Sequence, residues 1–147
     1  MVTLVHCYLR HQIVYVPTVV KLKTGAYWDI EPVAVCPIAN TDGMRRAVAG
    51  ALARGNAVVP PPPKDRWPPP VILKYAGVKT WSAFARGTSP WTIRERSGLY
   101  EITTSRDHRD GYWVDDRERT FELPPGSSAE DAVERMIEIL QDDARKK

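Results

Sequence analysis

Apolar residues recur along this chain with two periods, and the switches between them lay out the elements. Val2 to Tyr8 and Ile13 to Leu22 are dense in β-branched and aromatic side chains, which predicts two strands joined by the polar turn Arg10-His11-Gln12. Pro17 lies inside the second run. Proline donates no ladder hydrogen bond, so that strand is expected at a sheet edge or with a bulge. After the turn Lys23-Thr24-Gly25, Tyr27 to Ile30 and Val33 to Val35 read as strands separated by Glu31-Pro32. The period then changes. Met44, Ala47, Val48, Ala51 and Leu52 recur at i, i+3, i+4, i+7 and i+8, which is one apolar face of a helix. Asn40 or Thr41 can cap its start, and Gly55 can end it in a left-handed conformation.

Residues 60–70 interrupt the pattern with seven prolines, Pro60 to Pro63 and Pro68 to Pro70. Such a run lacks backbone donors and favours an extended form. At roughly 3.1 Å per residue it would cross about 34 Å as a stiff segment. A ligand for an SH3 or WW module is the functional alternative. Beyond it, Val71-Ile72-Leu73 reads as a strand, and Thr80 can cap a short helix with Trp81 and Phe84 on one face. Trp91 and Ile93 alternate with Thr92 and Arg94, as in a half-buried strand. Ser97-Gly98 marks a hairpin, with Tyr100, Ile102 and Thr104 on the return strand. Ser105 to Asp110 reads as a charged loop, and Asp115 and Asp116 as an acidic turn before the short strand Thr120 to Leu123. Ala132, Val133, Met136, Ile137 and Leu140 form the buried face of a last helix. Ser127 with Glu130, or Ser128 with Asp131, can cap it, the Glu pairing matching the capping-box pattern better. Residues 142–147 are expected to fray.

The chain reads as containing one unit twice. Gly25-Ala26-Tyr27-Trp28, a strand, Pro37 and a helix opened by Asn40 and Thr41 are echoed by Gly111-Tyr112-Trp113, a strand, Pro124-Pro125-Gly126 and a helix opened by Ser127 and Ser128. The expected fold is α+β: two pseudo-repeated antiparallel sheet-plus-helix units, residues 1–59 and 71–147, joined by the proline-rich connector 60–70, either as two small halves or as one compact domain sharing a core. One face of a mostly antiparallel sheet should carry both helices. A chain of 147 residues can bury a core without a metal or disulfide staple.

Charge changes this picture locally. The net charge of +3 is too small to imply nucleic acid or a membrane as partner. Yet residues 1–70 carry 8 Lys/Arg against 4 Asp/Glu, whereas residues 106–143 carry 5 Arg against 12 Asp/Glu. One half offers an acidic surface and the rest is basic. Two cysteines, Cys7 and Cys36, are too few for a disulfide scaffold, so both read as small buried apolar groups in a reduced, cytoplasmic setting. No run reaches 18 apolar residues, so no membrane span is expected.

Motifs for chemistry are missing. The chain contains no GxxxxGK[ST] loop, no GxGxxG, no GxSxG elbow and no HExxH, which points to no cofactor, no metal and no catalysis. Cys7 beside His6 suggests a nucleophile and a base, but neighbours on a strand point to opposite faces. His108, with Arg106, Asp107, Arg109 and Asp110 around it, reads as part of a solvated loop. Asp107/Asp110 and Asp115/Asp116 lack the glycine and closing glutamate of a calcium loop and read as charged hairpin tips. Tyr75, Trp81, Trp91 and Tyr100 interleave with Lys74, Lys79, Arg86, Arg94 and Arg96, which is how a single-strand nucleic-acid platform is built. A core reading competes for those aromatics. Tyr75 to Arg96 as a nucleic-acid-binding module is therefore the alternative function.

Leu73-Lys74-Tyr75-Ala76-Gly77-Val78-Lys79-Thr80-Trp81-Ser82-Ala83-Phe84, then Trp91-Thr92-Ile93, Gly111-Tyr112-Trp113, Phe121 to Ser128 and Val133-Glu134-Arg135-Met136-Ile137 form a pattern over residues 71–141. That pattern resembles the immunity proteins of bacterial contact-dependent growth inhibition systems; the first unit departs from it. The resemblance implies a small cytoplasmic protein without turnover. Such a protein binds the C-terminal toxin domain of a large secreted effector, often a nuclease, and covers its active site or substrate surface. A nuclease offers a basic groove for phosphate. The acidic stretch would complement it, with Asp107, Asp110, Asp115, Asp116 and Glu118 on hairpin loops as contacts and Tyr112 or Trp113 as an apolar anchor.

Overall fold

The computed structural model describes residues 2–107 and 113–146, with the backbone alone at 106–107 and 113–115, and within them the chain forms seven strands and four helices. β1 (Val2–Arg10) and β2 (Ile13–Leu22) follow the two period-two runs. Their turn places His11 and Gln12 at φ of 49° and 66°, the left-handed pair whose twist suits a two-residue hairpin. β3 (Tyr27–Pro37) pairs with the other side of β2, so Pro17 is not at an edge. The bulge is what accommodates it. The register shifts between Val16 and Thr18, and Glu31, Pro32 and Val33 of β3 loop out opposite Pro17. The expected break at Glu31-Pro32 is thus a bulge inside one continuous strand.

Beyond Tyr8↔Tyr15 the ladder between β1 and β2 stops. Asn56 fills the split. It follows α1 (Thr41–Arg54), and its side-chain oxygen accepts from the Leu4 N–H at 2.8 Å. The amide nitrogen donates to the carbonyls of Leu4 at 2.9 Å and Val19 at 3.0 Å. One amide therefore replaces a missing stretch of strand pairing. Asn40 caps α1 by accepting from the Gly43 N–H at 2.9 Å, and Gly55 ends it at φ 67°, ψ −161°, a conformation that favours glycine but is not the left-handed helical one expected.

After β4 (Val58–Val59), which pairs parallel with the end of β2, the proline segment carries no helix or strand. The expected strand at Val71-Ile72-Leu73 is instead the start of α2 (Ile72–Ala76). A short apolar run does not distinguish the two, and Gly77 at φ 71° and ψ 29° supplies the left-handed stop that a helix uses. α3 (Trp81–Ala85) is capped by Thr80, whose hydroxyl accepts from the Ala83 N–H at 3.1 Å. β5 (Thr88–Arg96), β6 (Leu99–Asp107) and β7 (Trp113–Glu122) follow, with Ser97 and Gly98 at φ 52° and 81° in the β5–β6 turn. β6 runs through Asp107, into the stretch expected as a charged loop. α4 (Ala129–Arg145) is capped by Ser128 with Asp131 in a reciprocal box, not by Ser127 with Glu130. Its last turn does not fray within the described residues, because Asp143 and Ala144 are buried.

The sheet runs β3-β2-β1-β5-β6-β7, antiparallel apart from β4. β1 and β5 join at its centre in nine pairs, from Val2↔Arg96 to Arg10↔Thr88. Outward from this seam each side is a meander of three strands followed by a long helix. α1 and α4 cover one face, over Val5, Cys7, Val14, Trp91, Ile93 and Ile102, as the two amphipathic stripes require. α2 and α3 cover only part of the other face, from β3 to the start of β5, where Ile72, Leu73 and Phe84 meet Tyr8 and Tyr15. The rest of that second face is open and polar, with Arg94, Glu101, Thr103, Arg117, Thr120 and Glu122 over β5 to β7.

Candidate functional site

The acidic residues expected at the functional surface are carried mainly by β7, the outermost strand at one end of the sheet. Asp107 pairs with Trp113, Ser105 with Asp115, and Thr104 with Asp116. Asp115, Asp116 and Glu118 are therefore strand residues and not hairpin-loop residues. Asp110 and Tyr112 lie outside the described residues, as do the side chains of Asp107, Trp113 and Asp115. The register shifts between Thr103 and Thr104, so Arg117, Glu118 and Arg119 bulge from the edge. Asp116 braces that bulge. Its carboxylate accepts from the Glu118 N–H at 3.2 Å, and its carbonyl accepts from the Thr120 hydroxyl at 3.2 Å. Glu118 is exposed.

Arginines interrupt this acidic region, and one of them reaches a buried acid that periodicity alone did not flag. Asp143, in the last turns of α4, accepts from the Trp91 indole at 3.0 Å and lies 3.6 Å from Arg119. The Arg119 guanidinium sits 5.2 Å from the Trp91 ring centroid, and Arg135 sits 4.9 Å from that of Phe121. Together they line a hollow of about 380 Å³ between α4 and β7. A second groove, of about 610 Å³, opens between α1 and α4 where Ala49, Ala53 and Ala129 leave room above Tyr100, with Glu95 and Glu130 at its rim. Arg45 closes one end by pairing with Glu134 at 2.6 Å.

The aromatic residues between Tyr75 and Arg96 do not form an exposed platform. Phe84 and Trp91 are core residues, and Arg94 pairs with Glu101 at 3.1 Å. His6 and Cys7 point to opposite faces, as strand geometry requires. Burial pushes the Cys7 thiol up to about 12, so it is not a ready nucleophile.

On the α2/α3 face, alternate residues of β3 each reach a partner. The Tyr27 hydroxyl donates to the Val2 carbonyl at 2.8 Å. Asp29 binds His6 Nδ1 at 2.6 Å through one oxygen and accepts from the Tyr8 hydroxyl at 2.5 Å through the other. Burial and then the Asp29 charge push the Tyr8 hydroxyl well above its ordinary range. Glu31 accepts from the Tyr75 hydroxyl and pairs with Lys74 at 3.1 Å. The Tyr75 hydrogen bond, then Lys74, holds the Glu31 carboxyl below its ordinary range. Only the period-two placement of Tyr27, Asp29 and Glu31 could have signalled this stripe. Among the described residues no three His, Cys, Asp or Glu side chains converge as metal ligands.

No family model and no curated protein matches the chain. Its fold is shared by solved structures, among them the following two. One is a protein of unknown function from Neisseria meningitidis, 15% identical, with a TM-score of 0.67 over 97% of this chain and 95% of that one. The other is a chain of the CdiA-CT/CdiI toxin and immunity complex from Yersinia pseudotuberculosis, 14% identical, with a TM-score of 0.64 over 97% of both chains. At such identities the likeness is one of fold. Among the described residues no helix is long and apolar enough to cross a membrane.

Proposed function

We propose that this protein is an immunity protein of a contact-dependent growth inhibition system, which acts in the cytoplasm by binding the toxin domain of a secreted effector and performs no turnover. The observation that carries this reading is the fold shared along nearly the whole chain with a member of a toxin–immunity complex. The sequence resemblance over residues 71–141 points the same way independently. The two meander-plus-helix halves are read as copies of one unit, supported by the mirrored strand order about β1 and β5.

The β7 edge is the proposed contact surface, with Asp107, Asp110, Asp115, Asp116 and Glu118 facing a basic toxin and Tyr112 or Trp113 as anchor. Opposite charge at such a rim speeds association and makes it salt-dependent. The test is co-purification with the C-terminal toxin domain of its cognate effector, followed by calorimetry at two salt concentrations. Asp115 and Glu118 are the positions to reverse, because Asp116 also braces the bulge. The expected result is binding about ten-fold weaker, with a flatter salt dependence. Unchanged affinity and slope would remove this edge, and failure to bind the domain at all would remove the function.

A further inference from the structure

We propose that the groove between β3 and the end of the proline segment is a binding site for a small aromatic monocarboxylate. The groove holds about 700 Å³, within the range of about 300–1,000 Å³ typical of small-molecule sites. Trp28 and Ile30 of β3 form one wall, and Pro68, Pro69 and Pro70 form another. Proline rings present apolar surface and no N–H that needs a partner, so this wall is suited to an aromatic ring and not to a polar chain. The walls are held from outside. Trp67 packs on Trp28 with ring centroids 5.2 Å apart. α2 is fixed by Leu73 in the second core cluster and by the contacts of Lys74 and Tyr75 with Glu31. The cavity is therefore formed before any ligand arrives, which lowers the ordering cost of binding.

Charge selects the ligand. Both acids that border the groove are already engaged: Asp29 by His6 and Tyr8, and Glu31 by Lys74 and Tyr75. Lys74 is engaged by the same Glu31. Lys79 also lines the groove, is exposed, and makes no ion pair or hydrogen bond among the described residues. The groove thus offers an aromatic and aliphatic slot with one uncommitted ammonium. A cationic ligand would find no acid free to receive it. A dianion would have Lys79 for one of its charges and no uncommitted cation among the lining residues for the other. A ring bearing a single carboxylate uses both features, and this site is independent of any toxin contact.

The probe is 2-naphthoate, with 2-naphthalenemethanol as the uncharged control, titrated into the full chain and followed at the Trp28 and Trp67 indole N–H resonances. The expected result is a saturable one-to-one shift at Trp28, with the acid favoured over the alcohol by about five-fold, the scale of one exposed ion pair. Lys79→Gln should abolish the preference while leaving the alcohol's affinity unchanged. Lys79 is exposed and has no partner among the described residues, so the replacement is expected to leave the fold intact. The absence of a saturable shift at Trp28, equal affinity for acid and alcohol, or a preference that survives Lys79→Gln would each overturn the assignment.

Discussion

Replacing Asn56 with Ala would leave three backbone groups in the split between β1 and β2 without their partner. Stranded, partly buried polar groups of this kind cost about 1–3 kcal/mol, so Asn56→Ala should destabilise the chain by about 2–3 kcal/mol in denaturant unfolding. A loss below about 0.5 kcal/mol would mean that water serves those groups equally well. Nothing in the sequence marks Asn56, because a side chain that completes a sheet obeys no period. Asp143 was hidden for a related reason: its charge suggested a solvated helix end, and only the fold brings the Trp91 indole to it. The surface pair Arg45–Glu134 gives a pH prediction. Arg45 holds the Glu134 carboxyl below its ordinary value of 4.5, through a hydrogen bond first. A carboxyl depressed in the folded state adds stability above its unfolded value and loses that contribution as pH falls through its folded one. The thermal midpoint of Arg45→Ala should therefore fall less steeply than that of the parent below pH 4.5. Parallel curves would show that the pair contributes nothing measurable.

At the scale of elements, the two long helices were legible because each repeats an apolar stripe over several turns, and five-residue α3 through the Thr80 cap and the spacing of Trp81 and Phe84, while α2, equally short and without a side-chain cap, shows neither signal. β6 and β7 were cut short for a different reason. Their facing ends carry unbroken charged runs, Arg106-Asp107 and Asp115 to Arg119, and a charged strand end looks like a loop until its partner is known. The cap of α4 fell on the second of the two pairs the sequence offers, Ser128 with Asp131, although Glu130 matches the capping-box pattern better. α1 contains a sharper example of context. Gly50 and Gly43 are both helical, and helix propensity alone favours alanine over glycine by about 0.8–1 kcal/mol. A Cβ on Gly50 would meet only the far end of Arg54, at 3.5 Å. One on Gly43 would fall 2.6 Å from the capping side chain of Asn40 and 2.7 Å from Cys36 Sγ. Gly50→Ala should raise stability by up to about 1 kcal/mol, whereas Gly43→Ala should lower it by about 1–2 kcal/mol. Equal shifts in calorimetric melting would show that the Asn40 cap yields freely.

For the whole molecule, a mostly antiparallel sheet with both long helices on one face could be anticipated, but not the central pairing of β1 with β5, which joins residues 2–10 to residues 88–96. That pairing, together with α1 against α4, holds the two sides whether or not the connector is intact. Lys64 and Arg66 are exposed in the proline segment, so brief trypsin treatment should cut there first. The two pieces should then elute together in gel filtration and separate only in denaturant. Separation under native conditions would mean that the connector, and not the seam, keeps the sides together. The same seam has a consequence for biosynthesis. Until residues 88–96 are made, the seam flank of β1 has no partner. An unpaired strand edge of this kind is open to wrong neighbours, so the yield in a cell should respond to chaperone supply as well as to final stability.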